Sequence, residues 1–221
     1  MAMVSKKRIL IKDFDSANVS YPNFLNDIQK IKNKKFKQII VGMDGPVGSG
    51  KTSVAKYAVS KIKNSLFLDS GLLYRFLAKK HLGQKSKAIN VKKLIAIAQT
   101  ITLKQLQSSG LHSQKINKLV STIAKIPKIR YALLPVQRNI IFNNSYQYVF
   151  VVGRDINSKV AQSADLKIYI DAPLKMRAQR RFLELKSKNK DIAFKEVLKT
   201  VANRDYLDKN RSNSPLVKTK D

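Results

Sequence analysis

The sequence predicts an α/β fold in which helices flank a parallel β-sheet. Two observations predict it. Apolar β-branched runs alternate with stretches of helical spacing, and a glycine-rich loop joins the first long apolar run to the helix after it. The chain has 221 residues, of which 43% are hydrophobic and 26% charged. That composition suits one domain, or a core with one small insert, with a hydrophobic interior of its own.

The first half of the chain supplies three strands. Residues 37–43 form a β-branched apolar run that ends at Asp44-Gly45, which indicates a buried strand. A short strand follows at residues 66–69, and an earlier one is predicted at residues 8–12. Apolar residues at helical spacing predict the helices of this half, at residues 22–32, 52–62, 71–82, 92–98 and 113–125.

The second half continues the alternation of strands and helices. Residues 100–106 are a candidate for one further strand, and Pro127 interrupts the helical pattern. Uninterrupted apolar runs predict two strands, at residues 148–153 and 166–171. Helical spacing predicts the remaining helices, at residues 129–142, 174–188 and 194–208.

Composition excludes several classes of function. The chain has no cysteine, which excludes disulfides, thiolate metal sites and cysteine nucleophiles. His81 and His112 are its only histidines, too few for a multi-histidine metal site. The apolar runs are shorter than the roughly 20 residues of a membrane span, and the N-terminal residues lack a secretory apolar stretch. We expect a cytoplasmic protein that does not enter a membrane.

The charge is strongly positive, with a formal net charge of +30 at pH 7. Such a field attracts polyanions. However, the cations are 34 lysines spread along the whole chain and only 10 arginines. A general lysine excess from an A- and T-rich genome explains most of this charge without a binding role. The arginines are more informative, because a planar guanidinium fits phosphate in a way that lysine does not.

A phosphate-binding loop follows the strand at residues 37–43. The sequence GPVGSGKT matches the pattern GxxxxGK[ST] between a strand and a helix. Its backbone N–H groups can surround a phosphate, Lys51 can reach the β- and γ-phosphates, and the Thr52 hydroxyl can ligate Mg²⁺. A nucleoside triphosphate is therefore the expected ligand. The predicted contacts are Gly45, Pro46, Val47, Gly48, Ser49, Gly50, Lys51, Thr52 and Ser53.

Three further segments accompany this loop. DSGLLYR follows the second strand, GRD follows the strand YVFVVG, and RDYLDKNRSNSPL ends the last helix. Together with the phosphate loop, and in this order, they resemble cytidylate kinases (CMP/dCMP kinases) of the nucleoside monophosphate kinase group. The resemblance extends from about residue 37 to residue 216. Eight of the ten arginines lie at positions that match the family's motifs.

The resemblance implies ATP as phosphoryl donor with Mg²⁺, and CMP or dCMP as acceptor. It implies a lid whose arginines close over ATP, namely Arg177, Arg180 and Arg181. It implies an acceptor site formed by Asp69, Ser70, Tyr74, Arg75, Ser121, Arg130, Arg154, Asp155, Arg204, Asp208 and Arg211. Of these, Arg154 and Asp155 join Lys51 and the lid arginines as the expected catalytic residues.

The resemblance also implies a fold and its division. We expect a P-loop kinase with a central five-stranded parallel sheet flanked by helices, a small acceptor-binding insert and a helical lid. The expected segments are an N-terminal strand and helix at 1–36, the P-loop core at 37–75, the insert at 76–126, and further core at 127–221 with the lid at about 174–190. A monomer without specific nucleic-acid partners is expected.

The chain departs from the family at three places. The stretch from Arg75 to Ser121 is shorter than the family's insert, and Ile156-Asn157 replaces the usual Gly-Thr after the GRD segment. The family continues past SPL with a strand and a helix, which here precede the first matched strand. We therefore hypothesise a circular permutation in which residues 1–34 supply the final strand and helix. The alternative is an unrelated basic arm.

Two other functions stay open on the sequence alone. One is a P-loop kinase for another acceptor, such as UMP or a nucleoside, which the short insert keeps possible. The other is a non-catalytic basic nucleic-acid-binding protein on a kinase fold, which the net charge favours. The placement of arginines at nucleotide-site positions opposes the second alternative.

Overall fold

The computed structural model describes residues 38–84, 88–107, 110–187 and 192–219, together with the backbone of residues 9–11. The chain divides into two compact units. The first comprises Met1–Leu68 and Tyr146–Asp221, and the second comprises Asp69–Ser145. The second unit includes more residues than the predicted insert at residues 76–126.

A parallel β-sheet organises the first unit. Its four longer strands are β2 (Ile39–Asp44), β3 (Ser65–Asp69), β4 (Tyr148–Val152) and β5 (Leu166–Ile170). Strand β2 lies in the middle, parallel to β4 on one side and to β5 on the other. A three-residue strand, β1 (Ile9–Ile11), pairs in parallel with β5 at the edge, so the strand order is β1-β5-β2-β4-β3.

Eight helices and one π-helical turn occur in the described residues. In chain order the helices are α1 (Lys51–Lys61), α2 (Gly71–Leu82), α3 (Val91–Gln99), α4 (Leu103–Leu106), α5 (Gln114–Ile123), α6 (Pro127–Phe142), α7 (Leu174–Lys186) and α8 (Phe194–Asn210). The π-helical turn, Ile156–Val160, follows β4. None of these helices combines the length and the apolar character of a membrane span.

The core of the first unit explains why β2 has an unbroken apolar sequence. Every residue of β2 is buried, because β2 is covered on both faces and paired on both sides. Val54 and Ala58 of α1 pack into the same cluster as Phe150 and Ile168 of the neighbouring strands. The loop that follows β2 is therefore attached to a strand that is buried along its whole length.

The second unit is helical in its described residues. Helices α2, α3, α5 and α6 pack on one another, and α6 begins with Pro127 in its first turn, a position that proline favours. The predicted strand at residues 100–106 is wrong, since the structure forms α4 there. Thr102 and Gln105 make a reciprocal capping box that starts this helix. The alternation of apolar and polar residues in this segment favoured a strand, although the capping pair indicated the start of a helix.

The other predicted elements agree with the structure to within a few residues. The strand expected at residues 8–12 is observed as β1. The helix expected at residues 22–32 lies outside the described residues, as does the C-terminal end of the predicted lid.

Candidate active site

The phosphate loop joins β2 to α1 at the carboxyl edge of the sheet. Its conformation requires glycine at two points. Gly45 has φ +146°, and a Cβ there would overlap the carbonyl oxygen of Ile170; Gly48 has φ +74°, and a Cβ would lie 2.9 Å from the carbonyl oxygen of Arg177. Gly50 caps α1 and offers its first turn no side-chain acceptor. The loop can therefore present backbone N–H groups and the positive end of α1 to a phosphate.

Lys51 lies within this loop and is buried. Its Nζ donates to the carbonyl oxygens of Gly45 and Pro46, both at 2.7 Å, and to Oγ of Ser49 at 3.1 Å. The ammonium group is thus held among the loop residues that the motif assigns to phosphate binding. Thr52 is exposed on the first turn of α1.

Asp44, which sequence reasoning missed, fixes the strand end before the loop. It is 1% exposed and accepts hydrogen bonds from the backbone N–H groups of Ile156 and Asn157, at 2.9 and 2.8 Å. Burial raises the pKa of Asp44 to about 6, although the two N–H groups and Lys51 oppose this increase. A carboxylate directly after a buried strand, in a chain with only 14 acidic residues, was the available signal.

Arg177 of α7 is held by protein acceptors on several sides. Its Nε donates to the carbonyl oxygen of Ala172 at 2.7 Å, and Nη1 donates to that of Val47 at 3.0 Å. Nη1 also forms an ion pair of 2.6 Å with Asp205 of α8. The structure therefore places this predicted lid arginine against the phosphate loop itself. Asp205 belongs to the RDYLDKNRSNSPL segment but was not among the predicted site residues.

The two other predicted lid arginines follow on the same helix. Arg181 pairs with Glu184 at 2.5 Å, and both side chains are partly exposed. Arg180 is half-buried. Both lie one turn beyond Arg177, so α7 brings all three predicted lid arginines to one helix, as their spacing indicates.

A second arginine cluster surrounds Asp208 near the C-terminal end of α8. Oδ2 of Asp208 accepts from Nε of Arg154 at 2.9 Å and from Nε of Arg204 at 3.1 Å. Nη1 of Arg211 lies 3.6 Å from Oδ1, and its Nη2 lies 3.8 Å from Asp155. These three arginines and two carboxylates leave one net positive charge. The structure thus brings together five residues that the sequence assigned to one site.

The pKa of Asp208 reflects this cluster. Burial alone would raise it, but the positive charges of Arg154, Arg204 and Arg211, together with the hydrogen bond from Arg154, hold the pKa below its ordinary value. Asp208 therefore stays ionised and keeps the three guanidinium groups close together.

The second unit holds the remaining predicted acceptor residues. Oδ1 of Asp69 accepts from the backbone N–H of Gly71 at 2.9 Å, and the buried Ser70 precedes α2. Arg75 donates to the carbonyl oxygen of Leu111 at 3.4 Å and to Asn117 of α5. Asn117 was not predicted from the sequence.

Tyr74 and Arg130 are in contact within the same unit. The guanidinium carbon of Arg130 lies 5.4 Å from the centre of the Tyr74 ring, and the arginine also donates to the carbonyl oxygen of Ala124 at 3.1 Å. Both side chains are buried. Ser121, half-buried on α5, lies nearer the protein surface.

Comparison with known proteins identifies the family of this chain. The profile of the family described as "Cytidylate kinase" matches residues 41–221. The chain is 37% identical over 191 residues to a cytidylate kinase of Alkaliphilus oremlandii, in a match that covers 82% of this chain and 86% of that protein. A cytidylate kinase of Clostridioides difficile is 33% identical over 193 residues, with 83% and 88% covered.

A third relative gives the same result. A cytidylate kinase of Pseudothermotoga lettingae is 35% identical over 195 residues, in a match that covers 83% of this chain and 84% of that protein. Most of the chain is therefore matched, and the matched part contains the phosphate loop and both arginine clusters. The chain belongs to the cytidylate kinase family.

Proposed function

We infer that this protein transfers the γ-phosphoryl group of ATP to CMP or dCMP, giving ADP and CDP or dCDP. The observation that carries this inference is the pair of sites at one edge of the sheet in the first unit. The phosphate loop follows β2, and the segment Gly153-Arg154-Asp155 follows the adjacent strand β4. One site suits a triphosphate, and the other, with its three arginines, suits a monophosphate.

The phosphate loop is the proposed ATP site. Backbone N–H groups of Gly45 and of residues 47–50, with the N-terminus of α1, attract the triphosphate, and Lys51 adds a positive charge that is held within the loop. Thr52 and Ser53 are exposed residues of the first turn of α1. Thr52 would hold Mg²⁺, which neutralises phosphate charge when it is bound.

The Asp208 cluster is the proposed site of the acceptor's phosphate. Arg154, Arg204 and Arg211 already face one carboxylate, so their guanidinium groups are ordered before an anion arrives. Pre-ordered cations lose little entropy on binding and hold the acceptor oxygen for in-line attack. Asp155, 3.8 Å from Arg211, orients this arginine rather than removing a proton.

No strong general base is needed for this reaction. The attacking oxygen of a nucleoside monophosphate is already ionised at neutral pH. It forms a bond to the γ-phosphorus while the bond from that phosphorus to the β-phosphate oxygen breaks, and ADP leaves. Charge spreads over the transferred oxygens in the transition state, and Lys51, Arg180 and Arg181 are the side chains proposed to neutralise it.

The acceptor residues of the second unit remain part of the proposal. Arg130 and Tyr74, whose guanidinium carbon and ring centre lie 5.4 Å apart, are proposed acceptor contacts of this unit. Asp69, Ser70, Arg75 and Ser121 are proposed to complete the acceptor contacts of this unit. We also propose a monomeric cytoplasmic enzyme, which gel filtration and cell fractionation test.

We also propose that the chain is a circular permutation of the family fold. Strand β1 pairs with β5 and covers an edge of the sheet that would otherwise present unpaired N–H and C=O groups. It comes from the start of the chain rather than from the end of the matched family segment. This placement supports the proposal that residues 1–34 supply the strand and helix that the family carries after its final motif.

The test is ADP release from ATP and Mg²⁺ with CMP, dCMP, UMP, AMP and GMP assayed in parallel. We expect turnover chiefly with CMP and dCMP, and none with Lys51→Ala. Turnover with a different acceptor would retain the phosphate loop and change the substrate. A folded protein without turnover on any acceptor, but with salt-sensitive nucleic-acid binding, would overturn the proposal.

A further inference from the structure

Arg177 meets acceptors from three separate segments of the first unit. They are Ala172 before α7, Val47 in the phosphate loop and Asp205 on α8. A single nitrogen, Nη1, uses its two hydrogens for Val47 and Asp205. The residue is only 6% exposed, so these contacts are formed away from bulk water, where charge-assisted hydrogen bonds are strongest.

The contact with Val47 fixes the direction of the next backbone donor. The C=O of Val47 and the N–H of Gly48 belong to one planar trans peptide, in which the two groups point in opposite directions. When Arg177 holds the carbonyl on one side of the loop, the N–H of Gly48 is directed to the other side. Rotation of this peptide would break the hydrogen bond to Arg177.

Packing restrains the same part of the loop. Gly48 lies so close to α7 that a Cβ would be 2.9 Å from the carbonyl oxygen and 3.2 Å from the Cβ of Arg177. The side chain of Val47 packs on the cluster formed by Ala178, Val197 and Val201. The segment Val47–Gly48 is thus held by its carbonyl, its side chain and its Cα.

Asp205 stabilises the positive charge of Arg177 in this buried position. It is 8% exposed, and its Oδ2 lies 2.6 Å from Nη1 of Arg177. A buried guanidinium without a partner is strongly unfavourable, and one carboxylate at this distance compensates for it. Asp205 also limits the rotamers of Arg177, which keeps Nη1 in place for Val47.

We propose that Arg177 and Asp205 are positioning residues that set the Val47–Gly48 peptide for ATP binding. Arg177 acts through the loop and does not itself contact the transferred phosphoryl group. Asp205 acts through Arg177. This inference depends on the proposed function only in taking ATP as the loop's ligand.

The test compares ATP and acceptor parameters in matched variants. We expect Arg177→Ala and Asp205→Ala to raise the KM for ATP and the Kd of a non-hydrolysable ATP analogue about tenfold or more, the change typical of losing one charge-assisted hydrogen bond. The KM for CMP should stay within about twofold. Asp205→Asn, which keeps an acceptor oxygen, should fall between wild type and Asp205→Ala.

A double variant tests the order of action. Because Asp205 acts through Arg177, Arg177→Ala with Asp205→Ala together should weaken analogue binding no further than Arg177→Ala alone. Lys175→Ala is the matched control, since it removes an exposed positive charge from the same helix. It should leave analogue binding unchanged.

Two results would overturn the inference. One is a fall in kcat for Arg177→Ala at unchanged ATP affinity, together with a silent Asp205→Ala, which would make Arg177 a direct phosphoryl contact. The other is an equal loss in Lys175→Ala. If Arg177→Ala fails to fold, the Asp205→Asn and Asp205→Ala pair decides. Analogue binding is measured without CMP, so its outcome stands apart from the acceptor assay that tests the proposed function.

Discussion

Asp205 and Asp208 lie three residues apart on α8 and pair with different arginines. Asp205 binds Arg177, which contacts the phosphate loop, whereas Asp208 binds Arg154, which follows β4. One helical turn therefore connects the proposed donor site to the proposed acceptor site. We therefore expect a substitution at Asp205 to act on the proposed donor site and a substitution at Asp208 to act on the proposed acceptor site.

The Asp208→Asn substitution should damage the acceptor site selectively. It leaves Arg154, Arg204 and Arg211 without their shared negative charge, so we expect a KM for CMP at least tenfold higher and a small change in the KM for ATP. Breaking a buried ion pair typically costs about 3–5 kcal/mol of stability. Steady-state kinetics and urea unfolding measure the two effects. An unchanged KM for CMP would place the acceptor phosphate elsewhere.

The same substitution should alter the response of stability to acid. The pKa of Asp208 is lowered in the folded protein, so this residue stabilises the fold above its ordinary pKa of about 4, and the stabilisation is lost as the pH falls below that value. Relative to wild type, Asp208→Asn should therefore lose its disadvantage as the pH falls from 5 towards 3. Urea midpoints across this range measure the difference.

Asp44 should act in the opposite direction. Its folded pKa of about 6 lies above its ordinary value, so its effect on stability is most favourable below about pH 4 and declines as the pH rises to about 6. The expected decline is about 3 kcal/mol, because one pKa unit corresponds to about 1.4 kcal/mol. The difference between wild type and Asp44→Asn, measured by urea unfolding from pH 4 to 7, should show this slope. A constant difference would contradict it.

Gly48→Ala should impair the phosphate loop through sterics. The residue has φ +74°, and the new Cβ would press on the backbone of Arg177. We expect a loss of ATP affinity of about tenfold or more with modest destabilisation, measured by calorimetry and thermal unfolding. Gly83→Ala is the matched control, because Gly83 has an ordinary φ of −77° and no neighbour closer than 3.7 Å to an added Cβ. Equal effects in both variants would refute the steric account.

Removal of residues 1–34 tests the permutation. Strand β1 is lost with them, which exposes the backbone edge of β5 beside Tyr169 and Ile170. We expect a large loss of stability and little kinase activity. We also expect truncated molecules to associate with one another through the unpaired edge of β5. A truncated protein that stays folded, monomeric and active would identify residues 1–34 as an accessory arm. Circular dichroism and gel filtration distinguish the outcomes.

The sequence predicted most of the fold because long apolar runs are strong local signals. Strand β2 is buried throughout, and its residues need no alternation to be recognised. The error at residues 100–106 arose because a four-residue helix has too few turns to show its period, so that only the capping pair Thr102 and Gln105 marked it. Short elements are specified by their ends rather than by their interior.

The candidate site was predicted less completely, and for a different reason. The motif resemblance assigned Arg154, Arg204, Asp208 and Arg211 to one site. Their spacing places Arg204 and Arg211 beside Asp208, whereas the contact of Arg154 with Asp208 spans 54 positions and is visible only in the structure. Asp44 and Asp205 went unassigned because both act on backbone or on another side chain, and such contacts leave no spacing pattern in the sequence. The contact of Arg177 with Val47 spans 130 positions along the chain.

The position of Lys51 has a consequence for selectivity among anions. Its Nζ is already solvated by two carbonyl oxygens and one hydroxyl of its own loop. An incoming anion has to replace these contacts before it gains the attraction of the ammonium group. A small anion such as chloride offers one contact in exchange, whereas a triphosphate offers several oxygens to Lys51 and to the surrounding N–H groups at once. We therefore expect the loop to favour a triphosphate over simple anions, because its own carbonyl and hydroxyl oxygens compete with the anion for Lys51.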